Sequence, residues 1–310
     1  MQFDPLKFIA GPAIVSFDEQ TYNTKEDISV KIARETFDVM SSRHGLIDKR
    51  VKSYALEISF RPVGQVENLS KYFPYTVADV GKSIFGETDK PLTIHTIAGK
   101  KYTYPRAAMI TMPSLKLSAT DTMFGEMTFL AILQSKADFT TLGSLQSITD
   151  AAFTDQSFDE TKIVTPGYTA AYGSTPYDAM ESLDGFTIEI GAEIIRDYVD
   201  RFGIVGARLK SLSATAQFTP VGLTEDQWHT LVALDDNDIP IPGESVAKSD
   251  TDLVISGGTS PAISITLHKA GIVNAGLAFG DAPRLQALEF ACKRSWTSGS
   301  ANPLYTFTVS

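Results

Sequence analysis

The chain contains 310 residues, of which 43% are hydrophobic, and this is enough apolar material for two domain cores of ordinary size. Its net charge of −10 argues against a protein that grips nucleic acid by neutralising phosphates. The single cysteine, Cys292, excludes an intrachain disulfide, a redox pair and a cysteine-rich zinc site. No window approaches the roughly 18 apolar residues of a membrane span, so no membrane partner is expected.

The first predicted elements are two short strands and a long polar connection. Ala13 to Phe17 predicts a strand after the Gly11-Pro12 turn, and Ile28 to Ile32 alternates apolar and polar residues at strand period. The polar segment Arg34 to Arg50 joins this strand to another that ends at Pro62-Val63-Gly64. Because the segment is longer than a usual hairpin loop, we expect it to project from the body as an arm.

The remainder of the first 150 residues predicts one helix and a series of short strands. Val66, Leu69 and Phe73 form one apolar helical face before Pro74 ends the helix. Turn residues separate the apolar runs that follow, which is typical of a β-sandwich or barrel. These runs are Leu92 to Ile97, Tyr102 to Met112, Leu115 to Ala119 and Met127 to Leu133.

The stretch from Arg43 to Gly64 occurs a second time as Arg201 to Gly222. The two stretches share nine identities in 22 positions at a constant offset of 158, where average residue usage gives roughly one or two by chance. An internal period of about 160 residues is too long for a solenoid repeat and suits two tandem domains. The sequence therefore predicts a first domain at 1–150, a linker at 151–165 and a second domain, the internal repeat, at 166–310.

The second copy has the same order of elements as the first. Strands at Thr169 to Tyr172 and Phe186 to Ile190 precede a second polar arm, Glu193 to Arg208. Thr224 to Gln227 has the pattern of a capping box at the start of a helix whose apolar face includes Trp228. Further strands are predicted at Leu253 to Ser256, Ile263 to Leu267, Asn274 to Phe279, Leu288 to Cys292 and Leu304 to Val309. The predicted fold class is mainly β with one flanking helix per domain (α+β), arranged as two tandem β-barrels or sandwiches.

No motif in the sequence indicates a catalytic or cofactor site. The four histidines, His44, His95, His229 and His268, lack the spacing of metal ligands. The sequence contains no GxSxG, no glycine-rich phosphate loop and no HExxH, and the acidic run Asp235 to Asp238 lacks the ligand spacing of a calcium loop. We therefore expect no enzyme, no metal and no cofactor. The 37 acidic residues leave a glycosidase-type carboxylate pair open, because the sequence gives no distances.

A duplicated strand, arm, strand, turn and helix without catalytic motifs resembles the tail tube (major tail) proteins of long-tailed bacteriophages. The resemblance lies in the opening segment Gly11 to Phe17, in the arms running into SYALEISFRPVG and SLSATAQFTPVG, in the following helix and in the closing β meander. It covers nearly the whole chain, once per copy. It implies rings of six β domains around a DNA-wide channel, stacked into a tube. Because this chain carries two such domains, we expect trimeric rings with pseudo-sixfold symmetry.

The resemblance also implies partners, a location and assembly residues. The expected partners are further copies of the chain, the tape measure protein and tail completion or baseplate proteins, with phage DNA passing the lumen without specific binding. The expected location is the virion tail, and the host cytoplasm during assembly. The candidate inter-subunit or inter-ring contacts are the residues shared by the two arms: Arg43, Gly45, Arg50, Arg201, Gly203 and Arg208. We expect a positive φ at both glycines, where each arm bends. For the arginines, the alternative is a solvated arm whose identities survive only from the duplication.

Other interpretations stay open at this stage. The same domain could build a baseplate, neck or decoration protein that stops at one ring. An acidic two-domain binding module, for example for carbohydrate, is supported only by aromatic residues that packing explains equally well. These residues are Tyr72, Phe73, Tyr75, Tyr102 and Tyr104. An enzyme ranks third.

Overall fold

The computed structural model shows a mainly β protein, which confirms the predicted β-rich class. It describes residues 13–25, 28–63, 69–86, 88–118, 123–133, 145–154, 167–199, 203–232, 251–258, 262–278, 284–292, 296–297, 300–301 and 303–309. Strands form most of its regular structure, and the helices are short.

The first half of the chain contains the strands β1 to β11. Their bounds are β1 Ala13–Phe17, β2 Gln20–Thr24, β3 Ser29–Ser41, β4 Gly45–Phe60, β5 Pro62–Val63, β6 Leu92–Thr96, β7 Lys100–Tyr104, β8 Ala107–Thr111, β9 Leu115–Leu117, β10 Met127–Ile132 and β11 Ser147–Asp150. The helix α1, Leu69–Tyr72, and a 3-10 turn, Val77–Asp79, lie between β5 and β6.

The second half contains the strands β12 to β25. Their bounds are β12 Thr169–Tyr172, β13 Glu181–Ser182, β14 Phe186–Val199, β15 Gly203–Phe218, β16 Pro220–Val221, β17 Leu253–Gly257, β18 Ile263–Leu267, β19 Ala270–Asn274, β20 Leu277–Ala278, β21 Arg284–Leu285, β22 Leu288–Cys292, β23 Trp296–Thr297, β24 Ser300–Ala301 and β25 Tyr305–Val309. The helix α2, Glu225–Leu231, lies between β16 and β17.

Strand pairing in the second half follows that in the first. β1 pairs with β6 and β6 with β7, as β12 pairs with β17 and β17 with β18. β4 pairs with β3 and β10, and β10 with β8, as β15 pairs with β14 and β22, and β22 with β19. Even the bulges match, because Ile110 is skipped in the pairing of β8 where Val273 is skipped in β19. The repeat seen in the sequence therefore extends to the hydrogen-bond register.

The core of each half is centred on the same pair of aromatic rings. Phe60 on β4 and Phe129 on β10 stack with ring centroids 5.9 Å apart and an interplanar angle of 2°. Their counterparts, Phe218 and Phe290, stack at 5.7 Å and 2°. All four side chains are buried, because alternate residues of each strand point to the inner face of the sheet. The cores of the two halves are not separate, since one buried cluster runs through both.

Most of the aromatic residues that had suggested a carbohydrate-binding surface belong to this core. Tyr72, Phe73, Tyr75 and Tyr104 are all buried, and Tyr102 is half-buried. Phe73 stacks on Phe307 of the second half with ring centroids 5.0 Å apart. Packing accounts for these residues, and the binding-module interpretation loses its support.

The helices confirm part of the sequence prediction. The side-chain oxygen of Thr224 accepts a hydrogen bond from the Gln227 N–H (3.3 Å), and the Gln227 side chain accepts from the Thr224 N–H (2.9 Å). This is the predicted capping box, and Trp228 is buried behind it. The first helix is a single turn, α1, and Val66, which was expected to belong to it, lies outside the described residues. Neither helix is long and apolar enough to cross a membrane.

The strands differ from the sequence prediction in several places. The arms are not loops, because β3 and β4 stay paired to the tip, as do β14 and β15. The run Tyr102 to Met112 divides into β7 and β8, and the strand predicted from Asn274 divides between the end of β19 and β20, while its last residue, Phe279, lies outside the described residues. The polar strand β2 was not predicted, since its pairing with β1 and β5, rather than apolar alternation, holds it in the sheet. Most of the predicted linker, from residue 155 on, lies outside the described residues, and the domain boundaries stay a prediction.

Candidate assembly surface

Two long hairpins carry the candidate residues. The first hairpin consists of β3 and β4, and the second hairpin consists of β14 and β15. Both contain bulges at matched positions, at Ile47 and Lys52 in the first and at Val205 and Lys210 in the second. Each turns at a glycine, Gly45 with φ +70° or Gly203 with φ +72°, so the predicted positive φ is confirmed. The two hairpins are the same structure built twice.

The second hairpin lies on the first half of the chain. Its side chains join a buried apolar cluster that consists of Ala55, Phe85, Ala108, Leu130, Ile132, Ile204 and Ala207. At the tip, the main chain comes so close to β4 that a Cβ placed on Gly203 would lie 3.0 Å from the Cα of Ser53. A side chain at this position would crowd the main chain of β4, and glycine has none.

Main-chain hydrogen bonds hold the same hairpin along its edge. The segment Gly81–Ile84 of the first half runs beside β15. Gly81 N–H donates to the Leu209 carbonyl (2.7 Å), Leu209 N–H donates to the Lys82 carbonyl (3.1 Å), and Ile84 N–H donates to the Ala207 carbonyl (3.0 Å). Backbone groups of β15 that its sheet partners do not use are thereby satisfied.

Polar contacts complete the attachment of the second hairpin. Arg196 Nη2 donates to Glu57 Oε1 at 2.5 Å, and the Tyr198 hydroxyl donates to Glu35 Oε1 at 2.5 Å. The Lys52 ammonium lies 5.1 Å from the centre of the Tyr198 ring. Burial, and then the hydrogen bond to Glu35, raise the pKa of Tyr198. These groups are partly exposed, so each pair contributes about 0.2–1 kcal/mol, and apolar burial is the larger contribution.

A strand of the first half extends the sheet of the second half. β9 pairs with β14, with Leu115 opposite Ile188, Lys116 opposite Thr187 and Leu117 opposite Phe186. The resulting sheet has the order β19-β22-β15-β14-β9. The four apolar residues that pair between β9 and β14 are almost fully buried: Leu115, Leu117, Phe186 and Ile188. The two halves therefore contact each other through different surfaces, in a head-to-tail arrangement.

The matching surface of the first hairpin is open. β3 is an edge strand of its sheet, whereas its counterpart β14 is covered by β9. Four matched pairs of positions differ in exposure: Val30 is 43% exposed and Ile188 0%, Ile32 55% and Ile190 3%, Leu46 55% and Ile204 2%, Val51 53% and Leu209 1%. Equivalent apolar residues are thus buried in the second hairpin and exposed to solvent in the first. An apolar edge of this kind is typical of an unoccupied interface.

Two of the predicted arginines, Arg50 and Arg208, pair with carboxylates of their own hairpins. Arg50 Nε lies 3.0 Å from Asp48 Oδ2, and this hydrogen bond lowers the pKa of Asp48. Arg208 donates from Nε and Nη2 to Asp197, with distances of 2.8 to 3.1 Å. Arg43 is in the turn, where its main-chain N–H donates to Ser41 Oγ (3.2 Å).

Arg201 lies outside the described residues. The other five candidate residues lie at or near the hairpin tips and do not form one cluster. Sequence reasoning placed apolar positions such as Val30 and Ile188 on strands, but it did not identify them as contact residues.

A hydrogen-bonded Asp-His-Thr group, also missed in the sequence, lies outside the hairpins. Asp252 Oδ2 is 3.0 Å from His268 Nδ1, and His268 Nε2 is 2.9 Å from Thr306 Oγ1. The other Asp252 oxygen accepts the Lys269 N–H (2.9 Å), where Lys269 has φ +48°. The carboxylate therefore stabilises the turn between β18 and β19. In the described part of the chain, no three potential metal ligands come together.

A cavity of about 750 Å³ is lined mainly by residues of the first half, among them Tyr75, with Leu209 from the second half. Its charged lining residues are paired with opposite charges: Lys90 with Asp18 at 2.8 Å, Lys82 with Asp79 at 3.6 Å and Arg106 with Asp89 at 3.1 Å. These ion pairs account for the charges without a ligand.

No protein-family model and no curated protein matches the chain. Function is therefore inferred from the hairpins and from the joint between the halves.

Proposed function

We propose that this chain is a tail tube subunit of a long-tailed bacteriophage. In this proposal two tandem tube domains, 1–150 and 166–310, form each chain, three chains form a ring, and rings stack into the tube. The observation that carries the proposal is the head-to-tail joint inside the chain. A head-to-tail contact between similar units repeats until it closes into a ring or runs on as a filament. The open first hairpin leaves this repetition free to continue.

The unpaired edge of β3 supports the proposal that the ring closes. β3 exposes Val30 and Ile32 along an unpaired edge, and proteins normally cover or interrupt such edges. Repeating the β9 to β14 pairing from chain to chain would cover this edge in every chain and leave no open sheet. A closed ring removes its edges as a barrel does.

Stacking of rings has its own candidate surface. Phe37 is 48% exposed and its counterpart Ile195 45%. This position stays open even in the second hairpin, which already lies on its neighbour. It is therefore available for a contact between rings, together with the charged tip at Arg43. The net charge of −10 suits a lumen that lets DNA pass without holding it.

The proposal is tested by the mass and the shape of the purified protein. The ring should have a mass close to three times the chain mass of 33.7 kDa, and electron microscopy at high concentration should show long hollow tubes. Protein that stops at single rings would favour a baseplate, neck or decoration protein. A stable monomer at every concentration would refute self-assembly, and a ring of six chains would refute the trimer.

Phe37→Asp tests stacking. It should leave folded protein and single rings and abolish long tubes, because it places a charge on a position that stays exposed in both hairpins. Tubes of normal length from this variant would show that stacking uses another surface.

A further inference from the structure

We infer that the first hairpin binds the second half of another copy of this chain, in the way that the second hairpin binds the first half of its own chain. The inference rests on the self-assembly in the proposed function and names the surfaces and the register of that contact. Val30, Ile32, Leu46 and Val51 form the binding face. Each of them is exposed, while its counterpart in the second hairpin is buried.

The second half presents an open receiving surface. In the first half, the second hairpin covers Ser53 and Ala55, which are 3% and 0% exposed. Their counterparts at the offset of 158 are Ser211 and Ser213, and both are exposed. Because these side chains are small, a hairpin tip can approach the strand as closely as Gly203 approaches Ser53. The occupant that fits this surface is the tip of a first hairpin.

The first hairpin does not reach this surface within its own chain. A Cβ placed on Gly45 would have no neighbouring atom within 4 Å, whereas the same atom on Gly203 would contact β4. A head-to-tail joint leaves one hairpin and one receiving surface unused in each chain. The partner must therefore be a second copy.

Matched pairing gives the register of the contact. Leu277 on β20 pairs with Leu285, in the same way that Leu115 on β9 pairs with Phe124. β20 is therefore the counterpart of β9 in the second half. Since β9 adds to β14 in the first joint, β20 should add to β3 of another copy. This pairing places Ser29 opposite Ala278, as Thr187 lies opposite Lys116.

The two kinds of joint differ in charge. At the offset of 158, Asp38 replaces Arg196 and Thr215 replaces Glu57, so the ion pair inside the chain has no equivalent between chains. Met40 similarly replaces Tyr198. The contact between chains therefore depends on apolar burial and strand pairing, and salt should weaken it little.

Cysteine cross-linking tests the register. One chain carries Ser29→Cys, a coexpressed chain with a different tag carries Ala278→Cys, and dibromobimane is added to the assembled protein. Directly opposite residues of an antiparallel pair have Cβ atoms about 4.5–5.5 Å apart, within reach of this reagent. We expect a mixed band at twice the chain mass. The double variant Lys116→Cys/Thr187→Cys is the matched control and should cross-link without a change in mass. The parent chain, with Cys292 alone, should give no band.

Two outcomes separate this inference from the proposed function. Rings or tubes that form without a mixed band would overturn the inference and leave self-assembly standing. Protein that stays at the chain mass at every concentration would overturn both.

Leu46→Asp provides a second test. It should abolish oligomers and leave the unfolding midpoint of the dilute monomer unchanged. Phe37→Asp is the control on the opposite side, because its counterpart Ile195 stays exposed, and it should leave the ring intact. The reverse result, in which Phe37→Asp prevents rings and Leu46→Asp does not, would contradict the inference.

Discussion

The two tip glycines allow the docking of the second hairpin to be tested in the dilute monomer. Gly45 and Gly203 have almost the same φ, +70° and +72°. Replacing either with alanine places an L-residue in the left-handed region, which costs roughly 1–2 kcal/mol. Their surroundings differ, because a Cβ on Gly203 would lie 3.0 Å from the Cα of Ser53 and 3.1 Å from the Lys52 carbonyl oxygen, while a Cβ on Gly45 would touch nothing within 4 Å.

The crowded atoms decide the magnitude. They belong to the main chain of β4, so they cannot move aside as the end of a flexible side chain can. Overpacking of this kind adds about 1–3 kcal/mol. We expect Gly203→Ala to destabilise the protein by about 2–5 kcal/mol. Gly45→Ala should cost about 2 kcal/mol at most, because an exposed tip can open locally and relieve the strain.

Urea unfolding followed by circular dichroism measures both variants. The protein is kept dilute, since assembly would add stability that depends on concentration. A larger midpoint shift for Gly203→Ala is the expected result. Equal shifts would mean that the second hairpin does not lie on β4 in solution, and would also contradict the inferred contact between the first hairpin and another copy of the chain.

Further substitutions test other parts of the fold. Phe129→Ala should destabilise the protein by about 3–5 kcal/mol because it empties one stacked position of the core, and Phe290→Ala, the matched change, should have a similar effect on the unfolding midpoint. Thr224→Ala removes the cap of α2 and should cost about 1 kcal/mol, which helix-specific hydrogen exchange can detect. Burial raises the pKa of the Cys292 thiol to about 12, so the thiol stays protonated at pH 8. It should react slowly with a thiol reagent in the native protein and quickly in urea; fast native reaction would contradict its burial.

Short strands were the elements best predicted from the sequence. Ala13–Phe17, Ile263–Leu267 and Leu288–Cys292 have their predicted bounds, because apolar alternation reports directly that one face of a strand is buried. The capping box at Thr224 was equally direct, since it specifies hydrogen bonds between residues three positions apart.

The assembly surface was beyond the reach of sequence patterns. Leu46 and Ile204 are similar residues in the same local context, yet one is 55% exposed and the other 2%. The two residues differ in their neighbours, because Ile204 packs against the first half of the chain. A pattern along the chain reports which face of a strand is apolar, and only the tertiary arrangement reports whether something covers it. The polar strand β2 was missed for a related reason. Its pairing with β1 and β5 holds it in the sheet, and a pattern along the chain does not report that pairing.

The internal joint also sets how assembly should depend on concentration. Two domains on one chain meet at an effective concentration of about millimolar, whatever the amount of protein in solution. In a ring of three chains, half of the six joints would then form during folding of each chain, and only the three joints between chains would remain. Ring formation would follow roughly the third power of chain concentration, where six separate domains would require the sixth. If the proposed function holds, a duplicated subunit would begin a tube at protein levels too low for single domains, because every second joint of the ring would already be present within a chain.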